Sequence, residues 1–433
     1  MYNYRILHPK KIDEKLNFLL DSQNWPKETI EDYQFNKLRS LIDYTYENIP
    51  YYQELFDKIQ LKPQDINQLQ DIKYIPVLTK KDIRKNFDRL IDPKLNKKKL
   101  MLNFTGGSTG IPLKFYHDEN YLINADAMRI RNWKYHVGFN KNEKEAILWG
   151  DARDIRNVNL KKIIKFFIYR NIEINTFNIN EKKFLNFFKL YNILKPNIIR
   201  GYASSLFFAA EIINKNNLDI HPPKSIISSA ETLSNKMRDY IENTFNSKVY
   251  NSYGSREVSQ IAMECHYGNM HLSSENQIVE LVENENYLEK NLKNIVVTNL
   301  NNHCMPFIRY EIGNLAESIN NVNCECGITH QCLNGLAGRE NENIVLNDGR
   351  VINGEFFEFL FDDIDEVERY QVLYTKSQNN LLIRLQADSN HNEIELKLKN
   401  KIKRSINSVK ISFEFNKDFQ KTPSGNFKFV WTE

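Results

Sequence analysis

Thr105-Gly-Gly-Ser-Thr-Gly-Ile-Pro112 is the stretch on which the reading of this chain turns. The 433 residues hold only 15 glycines, and Gly106, Gly107 and Gly110 all fall here. Glycine lets a backbone turn tightly and brings consecutive N–H groups towards an anion. The hydroxyls of Thr105, Ser108 and Thr109 add donors. No Lys-Ser or Lys-Thr pair follows the last glycine, so this is not a Walker loop, and the spacing is not that of a dinucleotide fingerprint. Leu100–Phe104 and Leu113–His117 read as short strands on either side. A hydrolase nucleophile elbow needs a strand-to-helix turn, so Gly106-Gly-Ser-Thr-Gly110 does not make one with Ser108. Taken alone, the loop reads equally well as a polar hairpin turn or as an anion cradle.

Working outward, Asp118 caps a helix running to about His136. Strands and helices then alternate: Ala146–Trp149, helix Glu181–Leu194, strand Ile198–Gly201, helix Ser205–Asn214, strand Ser225–Ser229, helix Ser234–Phe245 and strand Lys248–Ser252. That alternation predicts α/β layers with buried parallel strands. Residues 1–98 read as largely helical, with a helix over Thr29–Pro50 ended by Pro50 and a Thr79–Asp82 start signal. Beyond about Val279 the pattern is strand-rich, and Gly335-Leu-Ala-Gly-Arg339 marks a boundary before a compact α+β unit.

Hydrophobic residues make up 41% of the chain, enough for a sizeable core, and 433 residues imply more than one domain. The near balance of 59 basic and 55 acidic residues argues against a nucleic-acid partner. No apolar run is long enough for an integral membrane segment, and residues 1–10 lack the apolar core of a secretory signal. A cytoplasmic protein is expected. The five cysteines are an odd number and do not suggest a disulfide framework. Cys265 and His271, with Cys324 and Cys326, form instead a set that tetrahedral structural zinc accepts. His266 and Cys332 are alternates, and Cys304 reads as a buried core thiol.

The Gly-rich loop resembles the phosphate-binding signature of the adenylate-forming (acyl-CoA synthetase-like) superfamily, and further matches follow in that family's order. Ser229-Ala-Glu-Thr232 resembles its adenine-side loop, Asn251-Ser-Tyr-Gly-Ser-Arg-Glu257 its Tyr-Gly-x-x-Glu segment, and Arg309-Tyr-Glu-Ile-Gly-Asn314 its Arg-Tyr-x-x-Gly-Asp segment. Gly338-Arg339 resembles the interdomain hinge, and Thr422-Pro-Ser-Gly-Asn-Phe-Lys428 the C-terminal Ser-Gly-Lys segment. The branch that matches best is phenylacetate–CoA ligase-like and includes members from surface-polysaccharide gene clusters; such relatives often carry the Cys/His/Cys-x-Cys set.

The resemblance implies an AMP-binding domain of layered sheets and helices over 1–337, joined by a hinge to a small mobile α+β domain over 338–433. It implies that Thr105, Gly106, Gly107, Ser108, Thr109 and Gly110 close on the phosphates of ATP. Tyr253 would stack on adenine, with Ser229, Ala230, Glu231, Asn251, Gly254 and Ser255 around the base. Glu257 would hold Mg²⁺, Asn314 would meet the ribose hydroxyls, and Arg339 would sit at the hinge near ribose and phosphate. The activity implied is adenylation of a small carboxylic acid and transfer of the acyl group to CoA or an amine; the residues do not choose between these acceptors. A homodimer is the expected assembly.

Two positions depart from the family pattern. Asn314 replaces the aspartate that binds ribose, and Asn426 replaces the lysine that contacts the carboxylate and α-phosphate. Lys428, two residues on, shares a face with position 426 in an extended segment and is the candidate replacement; Lys421 is the weaker one. Losing such a cation costs about 10²–10³ in rate, so a degenerate nucleotide-binding member with little adenylation is the alternative reading.

Overall fold

Side-chain caps start the helices Lys80–Lys85 and Glu119–His136. Thr79 Oγ1 accepts from the Asp82 amide at 3.2 Å while the Asp82 carboxylate accepts from the Thr79 amide at 3.0 Å, so two orphan donors of the helix Lys80–Lys85 are satisfied reciprocally. Asp118 Oδ1 accepts from the Tyr121 amide at 2.8 Å and starts the helix Glu119–His136. Its Oδ2 takes the amides of His303 and Cys304, so one carboxylate also pins a distant loop. Pro50 does more than end the helix Lys27–Asn48: it opens a second helix, Pro50–Lys58, at a position where its missing N–H costs nothing.

The structure is a computed structural model. It describes residues 8–105, 113–138, 143–149, 171–176, 181–231, 233–283, 292–336, 344–348, 350–352, 356–357, 360–361, 364, 366–387, 389–406, 408–420 and 430–432. The chain divides into two compact units. The first comprises Met1–Phe104, Leu113–Phe139 and Tyr250–Gly338; the second comprises Thr105–Pro112, Asn140–Val249 and Arg339–Glu433.

In the first unit the strands are antiparallel. Val249–Ser255 pairs with Ser259–Glu264, which pairs with Met270–Leu272, then Cys332–Asn334 and Ser318–Asn320. A second antiparallel sheet runs Gln277–Glu283, Lys293–Asn299, Tyr310–Ala316. The apolar faces of both sheets meet the N-terminal helices in one core that includes Leu38, Ile42, Tyr52, Phe56, Ile261, Ile295 and Ile308. The helix Pro9–Ser22 packs Ile12, Leu16 and Leu19 on Ile123, Ala127 and Met128 of Glu119–His136. Met101–Phe104 and Lys114–His117 form the expected antiparallel pair around the Gly-rich loop.

In the second unit the strands Ser225–Ser229, Ile198–Tyr202, Glu145–Trp149 and Asn171–Asn175 are parallel neighbours in that order. The continuous apolar run of Ile198 and Ile199 suits a strand buried on both faces. Beyond residue 344 a separate four-stranded sheet, ordered Lys410–Phe415, Asn380–Ala387, Val367–Thr375, Val430–Thr432, is covered by the helix His391–Ser405. Tyr202 and Trp149 pack on this C-terminal core, their own rings stacked at 4.2 Å. The molecule is thus mixed α/β with a separate sheet-rich C-terminal part, the fold class expected from the sequence.

Candidate active site and metal centre

The Asn251–Glu257 segment lies on a distorted hairpin. The register between Val249–Ser255 and Ser259–Glu264 shifts at Tyr253 and Gly254. A Cβ on Gly254 would stand 2.4 Å from the Ser259 carbonyl oxygen and 2.9 Å from Gln260 Cα, so the close approach admits only glycine. Ser259 itself has φ +66°. Beyond this tight bulge the hairpin turn Arg256–Val258 delivers Glu257 inward, where it is 6% exposed.

Glu257 is held at two points. Its Oε1 accepts from the Tyr310 hydroxyl at 2.8 Å, and its carbonyl oxygen meets His117 Nε2 at 3.0 Å. The His117 ring lies stacked on Tyr121, centroids 3.6 Å apart. Burial holds His117 down at about pH 4, so the ring is neutral near pH 7. The second carboxylate oxygen makes no hydrogen bond to any described residue, and no described Lys, Arg or His forms an ion pair with Glu257. A buried carboxylate without a cationic neighbour calls for one from outside. A hard divalent ion such as Mg²⁺ fits that donor.

The other expected nucleotide residues are placed as follows. Tyr253 lies in the core of the first unit and is buried. The Asn251 amide donates to Glu264 Oε2 at 2.7 Å. Asn314 is half-buried on Tyr310–Ala316, next to Gly313 at φ +86°. In the second unit Ser229 ends its strand and Ala230 takes φ +70°, a strained value for a residue with a Cβ. The Glu231 carboxylate accepts from the Ser204 amide at 2.7 Å and the Ser204 hydroxyl at 3.0 Å, at the first turn of the helix Ala203–Lys215. Thr105 is buried. Gly106, Gly107, Ser108, Thr109, Gly110, Arg339, Lys421, Asn426 and Lys428 lie outside the described residues.

Cys265, His271, Cys324 and Cys326 come together, their ligand atoms all within 4.8 Å of one another. Two matching turns bring them there. The Gly268 amide donates to the Cys265 carbonyl at 2.9 Å, and the Gly327 amide to the Cys324 carbonyl at 3.0 Å. Gly268 and Gly327 have φ of +82° and +83°, where only glycine is unstrained. Cys265 and Cys324 Sγ are 3.6 Å apart, far beyond a disulfide and near the roughly 3.8 Å edge of a tetrahedron with metal–sulfur bonds of about 2.3 Å.

His271 presents Nε2 to Cys326 Sγ at 3.3 Å, while Nδ1 faces the His330 carbonyl at 3.1 Å. A proton donated from Nδ1 to that carbonyl leaves the Nε2 lone pair for a metal. Burial lowers the His271 pKa to about 4, which keeps the ring neutral as a ligand must be. Asn269 Nδ2 reaches Cys324 Sγ at 3.2 Å, and the Ile328 amide Cys326 Sγ at 3.5 Å; such donors stabilise thiolates. Cys332 stands behind the ring, 3.4 Å from Nδ1. His266 is exposed and outside the group. The donor set fits structural zinc, with four protein ligands and no open position.

From the sequence, Tyr310 has no role beyond its place in the Arg309–Asn314 motif, and His117, Asn269 and His330 are not singled out. Only the Arg-Tyr pair within the Arg309–Asn314 motif carried a signal for Tyr310; His117 is brought in by its strand and Asn269 and His330 by the loops beside theirs.

No family model matches the chain. It is 27% identical over 417 residues to Protein CapK of Staphylococcus aureus, covering 92% of this chain and 88% of that protein. It is 21% identical over 361 residues to the phenylacetate-coenzyme A ligase of Thermus thermophilus, covering 80% and 79%. Among solved structures, 2-hydroxyisobutyryl-CoA ligase in complex with 2-HIB-AMP and CoA shares the fold with a TM-score of 0.64 at 16% identity, over 95% of this chain and 91% of that one. With the ordered motifs from residue 105 to 428, these similarities support the resemblance to the adenylate-forming, phenylacetate–CoA ligase-like family.

Proposed function

We propose that the protein is an ATP-dependent, AMP-forming ligase for a small carboxylic acid. The observation that carries this reading is Glu257: a buried carboxylate with one oxygen tied to a neutral phenol and no basic partner among the described residues. An acid of that kind suits a divalent ion that travels with ATP, and Mg²⁺ would neutralise phosphate charge there. In the first half-reaction an oxygen of the acid attacks the α-phosphorus, and the bond to pyrophosphate breaks. In the second a thiol or amine attacks the acyl carbon, and AMP leaves. CoA is the acceptor we favour, since two of the similar proteins are named CoA ligases.

We assign 338–433 as the small mobile domain and Lys428 as the cation in place of Asn426. The zinc group is a closed structural clip in this reading. A cytoplasmic homodimer serving surface-polysaccharide assembly completes it, on the strength of the resemblance. Among the described residues no helix is long and apolar enough to cross a membrane.

Asn426 also favours a second reading, a nucleotide binder that has lost adenylation. ATP–pyrophosphate exchange with a panel of aryl, acyl and amino acids, run on wild type and Asn426→Lys, separates the two. Exchange by wild type supports the ligase, and a gain of about 10²-fold in Asn426→Lys is then expected. Silent wild type with an active Asn426→Lys supports the binder. Silence of both across the panel removes the ligase reading.

A further inference from the structure

We infer that Tyr310 is the positioning residue that turns Glu257 into a one-oxygen ligand for a divalent cation, and that Arg309 is the mount that holds Tyr310 in place. The inference rests on the ligase reading and adds to it the means by which the carboxylate is aimed.

Tyr310 is fully buried, its hydroxyl donates to Glu257 Oε1 at 2.8 Å, and its ring packs on Phe307 with centroids 5.0 Å apart. A phenol is a neutral donor. It fixes the carboxylate rotamer without cancelling the charge, as a lysine or arginine at the same place would. With Oε1 occupied and the main-chain carbonyl held by His117, only the other oxygen is left for a ligand.

Arg309 explains why the phenol stands where it does. Its backbone is left-handed, at φ +51°, which costs a non-glycine residue free energy and persists only when the surroundings impose it. Here they do. Nε and Nη2 each reach the Glu280 carboxylate at 3.0 Å, a bidentate fork. Nη1 donates to the carbonyls of Lys73 at 2.9 Å and Ile75 at 2.6 Å. The Arg309 amide donates to Thr298 Oγ1 at 2.8 Å, and its carbonyl accepts from Leu78 at 2.8 Å. The Glu311 amide donates to the Leu78 carbonyl at 3.0 Å on the other side. Tyr310 is therefore clamped between two tethered neighbours, and the turn at Arg309 sends its side chain inward to Glu257.

The test uses the full chain with Mn²⁺ and α,β-methylene-ATP as probes. Free Mn²⁺ is read by electron paramagnetic resonance, and metal-free nucleotide binding by calorimetry in EDTA. Wild type, Tyr310→Phe and Glu257→Gln are compared. Loss of a group that orients a metal ligand weakens affinity about tenfold or more, so Tyr310→Phe is expected to weaken Mn²⁺ by about that factor and to leave metal-free nucleotide affinity unchanged. Glu257→Gln should weaken Mn²⁺ further. If Tyr310→Phe keeps wild-type Mn²⁺ affinity while Glu257→Gln loses it, the positioning role is overturned and the metal reading stands. If Tyr310→Phe loses metal-free nucleotide binding to the same degree, the hydroxyl serves folding alone and the inference also falls. If Glu257→Gln is silent in every arm, the metal reading itself fails.

Discussion

Lys15 shows how one side chain can be held against its own preference. Its Nζ stands 4.2 Å over the Phe18 ring and 3.5 Å from the Tyr33 hydroxyl. Burial first, and then the neighbouring Lys37, lower its pKa from 10.5 to about 8, against the opposing pull of Glu275. Below pH 8 both folded and unfolded chains hold the proton, and the folded state bears the cost of a half-buried charge. Between pH 8 and 10.5 the unfolded chain binds more protons, so stability rises with pH and the cost fades. Lys15→Met is therefore expected to stabilise the protein at pH 7 by about 1 kcal/mol once solvent screening is allowed for. That gain should shrink as the pH approaches 10. Thermal melts of the two proteins from pH 7 to 10 check this; a constant difference across the range would mean that the charge is not the cause.

At the scale of elements, the sequence was most legible where a local rule acts alone. Thr79 and Asp118 cap helices where cap chemistry placed them, and the alternating segments from Ala146 to Phe245 give the parallel strands expected. It was less legible where function is set by register. Nothing local says that Cys332 pairs with His271, or that the Gly254 bulge turns Glu257 inward. The Cys265, His271, Cys324, Cys326 set could be read because thiols and imidazole advertise their chemistry, whereas the donors that support it, Asn269 and the His330 carbonyl, look like any loop residues. Glu231 illustrates the same limit. Its motif names it for the adenine side, yet its carboxylate also takes the Ser204 amide and hydroxyl at the start of the helix Ala203–Lys215. Removing a capping acceptor costs about 1 kcal/mol. Glu231→Ala should lower the unfolding free energy measured in urea by that amount, while Glu231→Gln, which keeps an acceptor, should recover most of it. Equal losses in both variants would show that the negative charge, not the hydrogen bonds, matters.

For the whole molecule, a metal held by the Cys265, His271, Cys324 and Cys326 cluster would make stability local. Its ligands are all in the first unit, and they join the turn between Ser259–Glu264 and Met270–Leu272 to the segment that enters Cys332–Asn334. Without an ion, three thiols and an imidazole crowd one buried group, and burial raises the Cys265 thiol above its ordinary pKa. An ion bound there would offset that desolvation by bonding to thiolates, so its binding energy would become folding energy. One metal per chain is expected by elemental analysis, lost in Cys324→Ser. Chelation should lower the melting temperature by on the order of 10 °C, as a loss of a few kcal/mol does in a domain of about 200 residues. The two units should respond differently, because local opening follows local contacts. Amide exchange is expected to accelerate over residues 259–272 and 318–334, while the sheet of Val367–Thr375, Asn380–Ala387 and Lys410–Phe415 keeps its protection. Uniform acceleration across both units would show that the ion supports the whole chain rather than this clip. No acceleration at all, with metal absent from the purified protein, would show that the four side chains act as ordinary core residues.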